Sequence, residues 1–189
     1  MKMKPINLIG FSVLIFTIVA CGQSSTQETQ TEETTESSGN WLILDEADYS
    51  IQYPDTFDLD QSNQMGLAFV LFSKQASELD FFKENVNLYI EDLAGQNISL
   101  DDYEQLSLLQ IEQLITDFEL VESSRMIIDN KEVIQVIYTG KQGELDLKWE
   151  QIIFIENEKA YILSLTCEVD QFDEYAPIGE EIIKSFKLK

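Results

Sequence analysis

The sequence predicts an α+β domain in which helices pack on an antiparallel sheet. Three observations carry that expectation: stretches of strand length in which apolar and polar residues alternate, short turn signals that join such stretches into hairpins, and two segments whose apolar residues recur at helical spacing. Their order along the chain is strands, a helix, more strands and a final helix, and this order separates an α+β domain from a parallel β/α one.

The early strands are "YSIQYP" (49–54), "FDLD" (57–60) and "LAFVLFS" (67–73). "NVNLYIEDL" (85–93) alternates more clearly, with Val86, Leu88 and Ile90 on one face, and Gly95 ends it. A helix is expected over 99–118. Ser99 suits its N-cap, acids follow in the first turn, and Leu108, Ile111, Leu114, Ile115 and Phe118 fall on one side. Four strands then form a meander. "FELVESSRMII" (118–128) turns through Asp129-Asn130 into "KEVIQVIYTG" (131–140), "GKQG" leads into "ELDLKWEQIIFIE" (144–156), and "NEK" leads into "AYILSLTCEV" (160–169). The last helix is "FDEYAPIGEEIIKSF" (172–186), with Pro177 in its first turn and Ile178, Ile182 and Ile183 on its apolar face.

The N-terminus is another kind of sequence. Lys2 and Lys4 precede residues 5–20, which carry no charge and consist mainly of Ile, Leu, Val and Phe. A spanning helix needs roughly 20 apolar residues, so this stretch reads as a secretory signal. Its end, Ile18-Val19-Ala20-Cys21, resembles a bacterial lipobox. That resemblance implies cleavage between Ala20 and Cys21, a diacylglyceryl group on the Cys21 sulfur and acylation of the new amine. Residues 22–40, "GQSSTQETQTEETTESSGN", hold no large apolar side chain and are expected to be a disordered tether, about 25 Å between its ends. The organisation expected is therefore a signal peptide (1–20), a lipidated cysteine with its linker (21–40) and one globular domain (41–189), outside the cytoplasm on a bacterial cell membrane or outer membrane.

The whole chain carries 12 Lys+Arg against 35 Asp+Glu, a net charge of −23. Removing residues 1–20 deletes two lysines and no acid, which takes the charge to −25. Such a field repels phosphate backbones, so nucleic acid is excluded as a partner. There is no histidine, and with Cys21 acylated only Cys167 remains as a thiol, so an internal disulfide and a Cys/His zinc site are both excluded. Alternation places Cys167 with Tyr161, Leu163 and Leu165, as a core residue. No catalytic residue and no cofactor motif stands out. Two acidic clusters are candidates for a calcium site: Asp55, Asp58, Asp60 and Asn63, then Glu168, Asp170, Asp173 and Glu174. Neither has the spacing of an EF-hand loop, and both also read as turn and helix-capping residues.

The opening "YSIQYPDTFDLD", the mid-chain "NVNLYIEDL" before a helix starting "SLDDY", the strand "KAYILSLTCE" and the closing "FDEYAPIGEEIIKSFKLK" together resemble the PsbP-like family. The likeness spans residues 49–189. It implies an α/β/α sandwich, a central antiparallel sheet with helices on both faces, and a non-enzymatic role in binding or assembly. The function expected is a membrane-tethered lipoprotein whose domain docks on an envelope protein. The alternative is an extracytoplasmic protein that binds a small ligand or a divalent cation such as Ca²⁺.

Overall fold

The computed structural model describes residues 40–63, 66–75, 80 and 82–189. The signal peptide, Cys21 and the linker up to residue 39 lie outside them. The described part is mostly antiparallel sheet with two helices. Its elements are β1 (Trp41–Asp45), β2 (Tyr49–Pro54), β3 (Asp58–Asp60), β4 (Leu67–Phe72), β5 (Asn85–Asp92), α1 (Leu100–Leu114), β6 (Thr116–Ile128), β7 (Lys131–Gln142), β8 (Leu145–Glu156), β9 (Lys159–Glu168), α2 (Phe172–Lys184) and β10 (Lys187–Leu188). Seven strands form one sheet in the order β3-β4-β5-β9-β8-β7-β6, and a small second sheet runs β1-β2-β10.

Turn chemistry sets the meander. Asp129 and Asn130 both sit at positive φ (50° and 61°), as do Asn157 and Glu158 (51° and 57°), the paired left-handed geometry whose twist matches a two-residue hairpin. β6 to β9 therefore fold back on one another in sequence, and β9 closes against β5. Between β5 and β6 the chain must travel from the middle of the sheet to its far edge. α1 makes that crossing.

Residues that alternate along each strand go to two separate clusters. On β8, Leu147, Trp149 and Ile153 join Tyr103 and Ile111 of α1, whereas Ile152 and Phe154 join Phe172, Ile182 and Ile183 of α2. The second cluster also takes Tyr49, Ile51 and Tyr53 from the small sheet and includes Cys167, which is fully buried beside Tyr161, Leu163 and Leu165 as the alternation required.

Three sequence expectations need correction. α1 ends at Leu114, not at residue 118; Ile115 is its extended C-cap and Phe118 belongs to β6. Its buried face is Tyr103, Ser107 and Ile111, and Leu114 is 47% exposed. The cause is a close approach to β7. A Cβ at Gly140 would lie 2.2 Å from Ile115 Cγ2 and 2.9 Å from the Thr116 carbonyl oxygen, so the absent side chain lets the helix break and pair at once as β6. Pro177 lies inside α2, not in its first turn, because the helix already begins at Phe172, whose buried ring lies under Lys148 Nζ at 4.0 Å. Lastly, β1 and β10 were not anticipated. They add the small sheet, and Ser185 just before β10 locks to β2 by donating from Oγ to the Gln52 carbonyl and accepting from the Gln52 N–H at 2.8 Å.

Candidate functional site

α1 covers a stretch of sheet that is polar where a core would be apolar. On the α1 side, β5 presents Asn85, Asn87, Tyr89 and Glu91, β9 presents Ser164 and Thr166, and β8 presents Gln151. Strand register aligns them in rows. Asn87 stands beside Ser164 and Ser164 beside Gln151, while Asn85 stands beside Thr166 and Thr166 beside Trp149. Asn85, Glu91, Ser107, Gln151, Ser164 and Thr166 are all buried. Together with Tyr103, Ser107, Gln110 and Ile111 of α1 they line a cleft of about 100 Å³, with Phe82, Tyr89, Trp149 and Ile162 as its apolar wall.

Buried amides cost several kcal/mol unless bonded, roughly 2–7 in apolar surroundings. Part of that cost is met within the wall: Gln151 Nε2 donates to Ser164 Oγ at 3.2 Å, Asn87 Nδ2 to Asn85 Oδ1 at 3.1 Å and Asn85 Nδ2 to the Lys83 carbonyl at 3.2 Å. Tyr103 Oη donates to Glu91 Oε2 at 2.7 Å and ties the roof to the floor. The roof is also held from β6, where Arg125 pairs with Asp101 at 2.6 Å and Glu104 at 2.7 Å.

Glu91 is the one acid among the cleft's described lining residues. Burial raises its pKa, against the Tyr103 hydrogen bond, which lowers it. Burial likewise raises Glu84 and Glu150 on the opposite side of the sheet. A carboxyl raised in the folded state keeps its proton to higher pH there than in the unfolded chain. Its contribution is fully present below the ordinary carboxyl value and is lost as pH rises through the shifted one. Glu91→Gln keeps an acceptor for Tyr103 and cannot ionise, so it is expected to raise the melting temperature at pH 7 and leave it unchanged at pH 4. Thermal melts at the two pH values check this; an equal effect at both would refute the linkage.

The cleft holds no histidine, and the one described thiol, Cys167, lies on the other face with its pKa pushed up by burial. Two-carboxylate hydrolysis needs a second acid across the substrate, and the described lining residues supply none. The lining offers amides and hydroxyls, which donate and accept hydrogen bonds.

The residues singled out from the sequence sit elsewhere. Asp55, Asp58 and Asn63 are exposed, and Asn63 occupies a turn at φ 55°. Asp60 Oδ1 accepts from the Ser62 N–H at 2.7 Å, which holds its carboxyl below the usual range. Of the second cluster, Asp173 and Glu174 lie in the first turn of α2, while Glu168 and Asp170 line an open groove with Asp117 and Asp146. Lys141 stands 3.4 Å from Asp117 and 3.9 Å from Asp146. Among the described residues, no group of three or more His, Cys, Asp or Glu is placed to hold a metal ion. The cleft residues were missed because the polar phase of β5 and β9 reads as a solvent face. The one hint was that "NVNLYIE" and "LSLTC" place small or amide side chains opposite full apolar rows.

Among the described residues, no helix is long and apolar enough to cross a membrane. No family model matches the sequence, and no curated protein matches it. Solved structures do match, and what they share with this domain is the PsbP-like fold. The solution structure of cyanobacterial PsbP (CyanoP) from Synechocystis sp. PCC 6803 aligns with a TM-score of 0.56 at 15% identity, over 83% of this chain and 98% of that one. LpqN of Mycobacterium tuberculosis, described as involved in cell envelope biogenesis, aligns at 0.57 and 12% identity over 82% and 87%. PA94 of Pseudomonas aeruginosa, a protein of unknown function, aligns at 0.56 and 13% over 78% and 96%.

Proposed function

We propose that this chain is a lipid-anchored, non-enzymatic binding protein of the bacterial cell envelope. Its domain is read as an α/β/α sandwich, in which α1 and the large sheet enclose the binding cleft. The observation that carries this reading is the row of half-buried Asn87 and buried Ser164 and Gln151, polar and roofed by α1, in a cleft whose described lining holds one acid and no thiol. The signal-like start and Cys21 support the anchor, and the fold shared with an envelope-biogenesis protein supports the compartment. The test is to purify the intact chain from its own host's membranes, denature it and identify released small molecules by mass spectrometry. A compound released in stoichiometric amount by the wild type, and absent from a Ser164→Leu variant that fills the cleft, is the expected result. Equal release from both, or none from either, would overturn the reading.

A second reading, docking on an envelope protein, is favoured by β1. This edge strand exposes Trp41, Leu42 and Ile43 directly after the tether. Crosslinking in intact cells is expected to recover one membrane-associated partner, and Ile43→Asp to abolish the crosslink; recovery of abundant neighbours alone would sink this reading.

A further inference from the structure

We infer that the cleft under α1 takes an uncharged, hydroxyl-rich ring: a sugar, free or at the end of a larger molecule. This rests on the binding reading above and adds the ligand's class. Five features of the wall decide it.

No lysine or arginine is among the cleft's described lining residues, so a phosphate or carboxylate would lose its water without gaining a counter-charge from them and would face Glu91. A divalent cation fares no better, since calcium takes 6–8 oxygen ligands and the wall offers one carboxyl. Asn85, Asn87 and Gln151 keep hydrogen-bonding capacity beyond the bonds they make within the wall, and an apolar ligand would leave it unmet. What remains is a ligand that donates and accepts at several neighbouring points. Amide and hydroxyl side chains do both. The Asn87–Ser164–Gln151 row sets such groups side by side on three adjacent strands. The C–H faces of a sugar are apolar and suit the wall formed by Tyr89, Trp149 and Ile162.

Size agrees. An engineered cavity of about 150 Å³ admits benzene. At about 100 Å³ and open on one side, this cleft encloses part of one ring and leaves the remainder at its mouth.

The experiment follows the side-chain amide signals of Asn85, Asn87 and Gln151 by two-dimensional NMR, on the intact chain in a detergent without sugar headgroups. Glucose, galactose and N-acetylglucosamine are titrated beside glucose 6-phosphate, glucosamine and acetonitrile. At least one neutral sugar is expected to move these signals saturably, with glucose 6-phosphate at least tenfold weaker. Gln151→Leu is expected to weaken the sugar at least tenfold, and the isosteric Thr166→Val severalfold should the first variant not fold. A charged probe that binds as well or better overturns the ligand class and leaves the cleft a binding site. Acetonitrile shifts without any sugar response do the same. Silence from every probe means the cleft holds structural water only, and both readings fall. Sugar binding that neither variant weakens places the site elsewhere and also overturns the inference.

Discussion

Phe186→Ala is expected to lower the melting temperature of the domain by about 10 °C or more. Phe186 is 1% exposed and follows the C-cap of α2. Its ring centroid lies 5.6 Å from that of Tyr49 on β2, 5.5 Å from Phe154 on β8 and 6.2 Å from Tyr161 on β9. One side chain therefore joins the last helix, the small sheet and two central strands. Truncating a buried Phe costs about 3–5 kcal/mol through lost transfer energy and the cavity left behind. For a chain of this size each kcal/mol moves the midpoint by about 2–4 °C. Leu114→Ala is the matched control. Helical periodicity assigns Leu114 to the core, yet it is 47% exposed, so its loss is expected to stay within about 0.5 kcal/mol. Calorimetry on the two variants separates the observed packing from the periodic pattern. Equal losses would mean that α1 lies differently against the sheet.

Why the pattern misassigned α1 is itself physical. Leu108, Ile111, Leu114 and Ile115 do recur at helical spacing, and Ile111 and Ile115 are buried. What the pattern could not contain is Gly140, a residue distant in sequence, whose missing side chain makes room for Thr116 to pair at the corner. A non-local contact ended the helix. The hairpins were legible because their cause is local: Asp129-Asn130 and Asn157-Glu158 hold left-handed backbone that asparagine tolerates, between strands that already alternate. β10 was not legible, as two residues have no periodicity; its place is fixed by Ser185 and by pairing of Lys187 with Ser50 and Leu188 with Tyr49.

The cleft shows the same limit from the other side. Alternation says which residues share a face and not whether that face meets water. Asn87, Ser164 and Gln151 are polar residues on a polar phase, and only the crossover from β5 to the far edge of the sheet brings α1 above them. The acidic clusters drew attention because charge is visible in a sequence. The neutral amides that line the interior were not visible, being common surface residues in any strand.

Cys21→Ser is expected to abolish acylation completely, the largest functional effect of any single substitution in this chain. With Cys21 present, the purified protein is expected to begin at that residue, to carry a diacylglyceryl group and to incorporate labelled palmitate. With serine it keeps residues 1–20 and takes up no label. On the proposed anchor, attachment depends on this one sulfur. Without residues 1–20 the charge is −25, which repels an anionic membrane, so no electrostatic term helps. Residues 5–20 as a helix reach about 24 Å, short of a hydrocarbon core about 30 Å thick. One acyl chain holds a protein marginally, and two or more hold it stably, at about 0.8 kcal/mol per buried CH₂. Resistance of the wild type to extraction by high salt and alkaline carbonate is therefore expected to disappear in the variant. A wild-type protein that carries no palmitate label and retains the full precursor mass would remove the anchor, and with it the confinement of the cleft to the membrane surface.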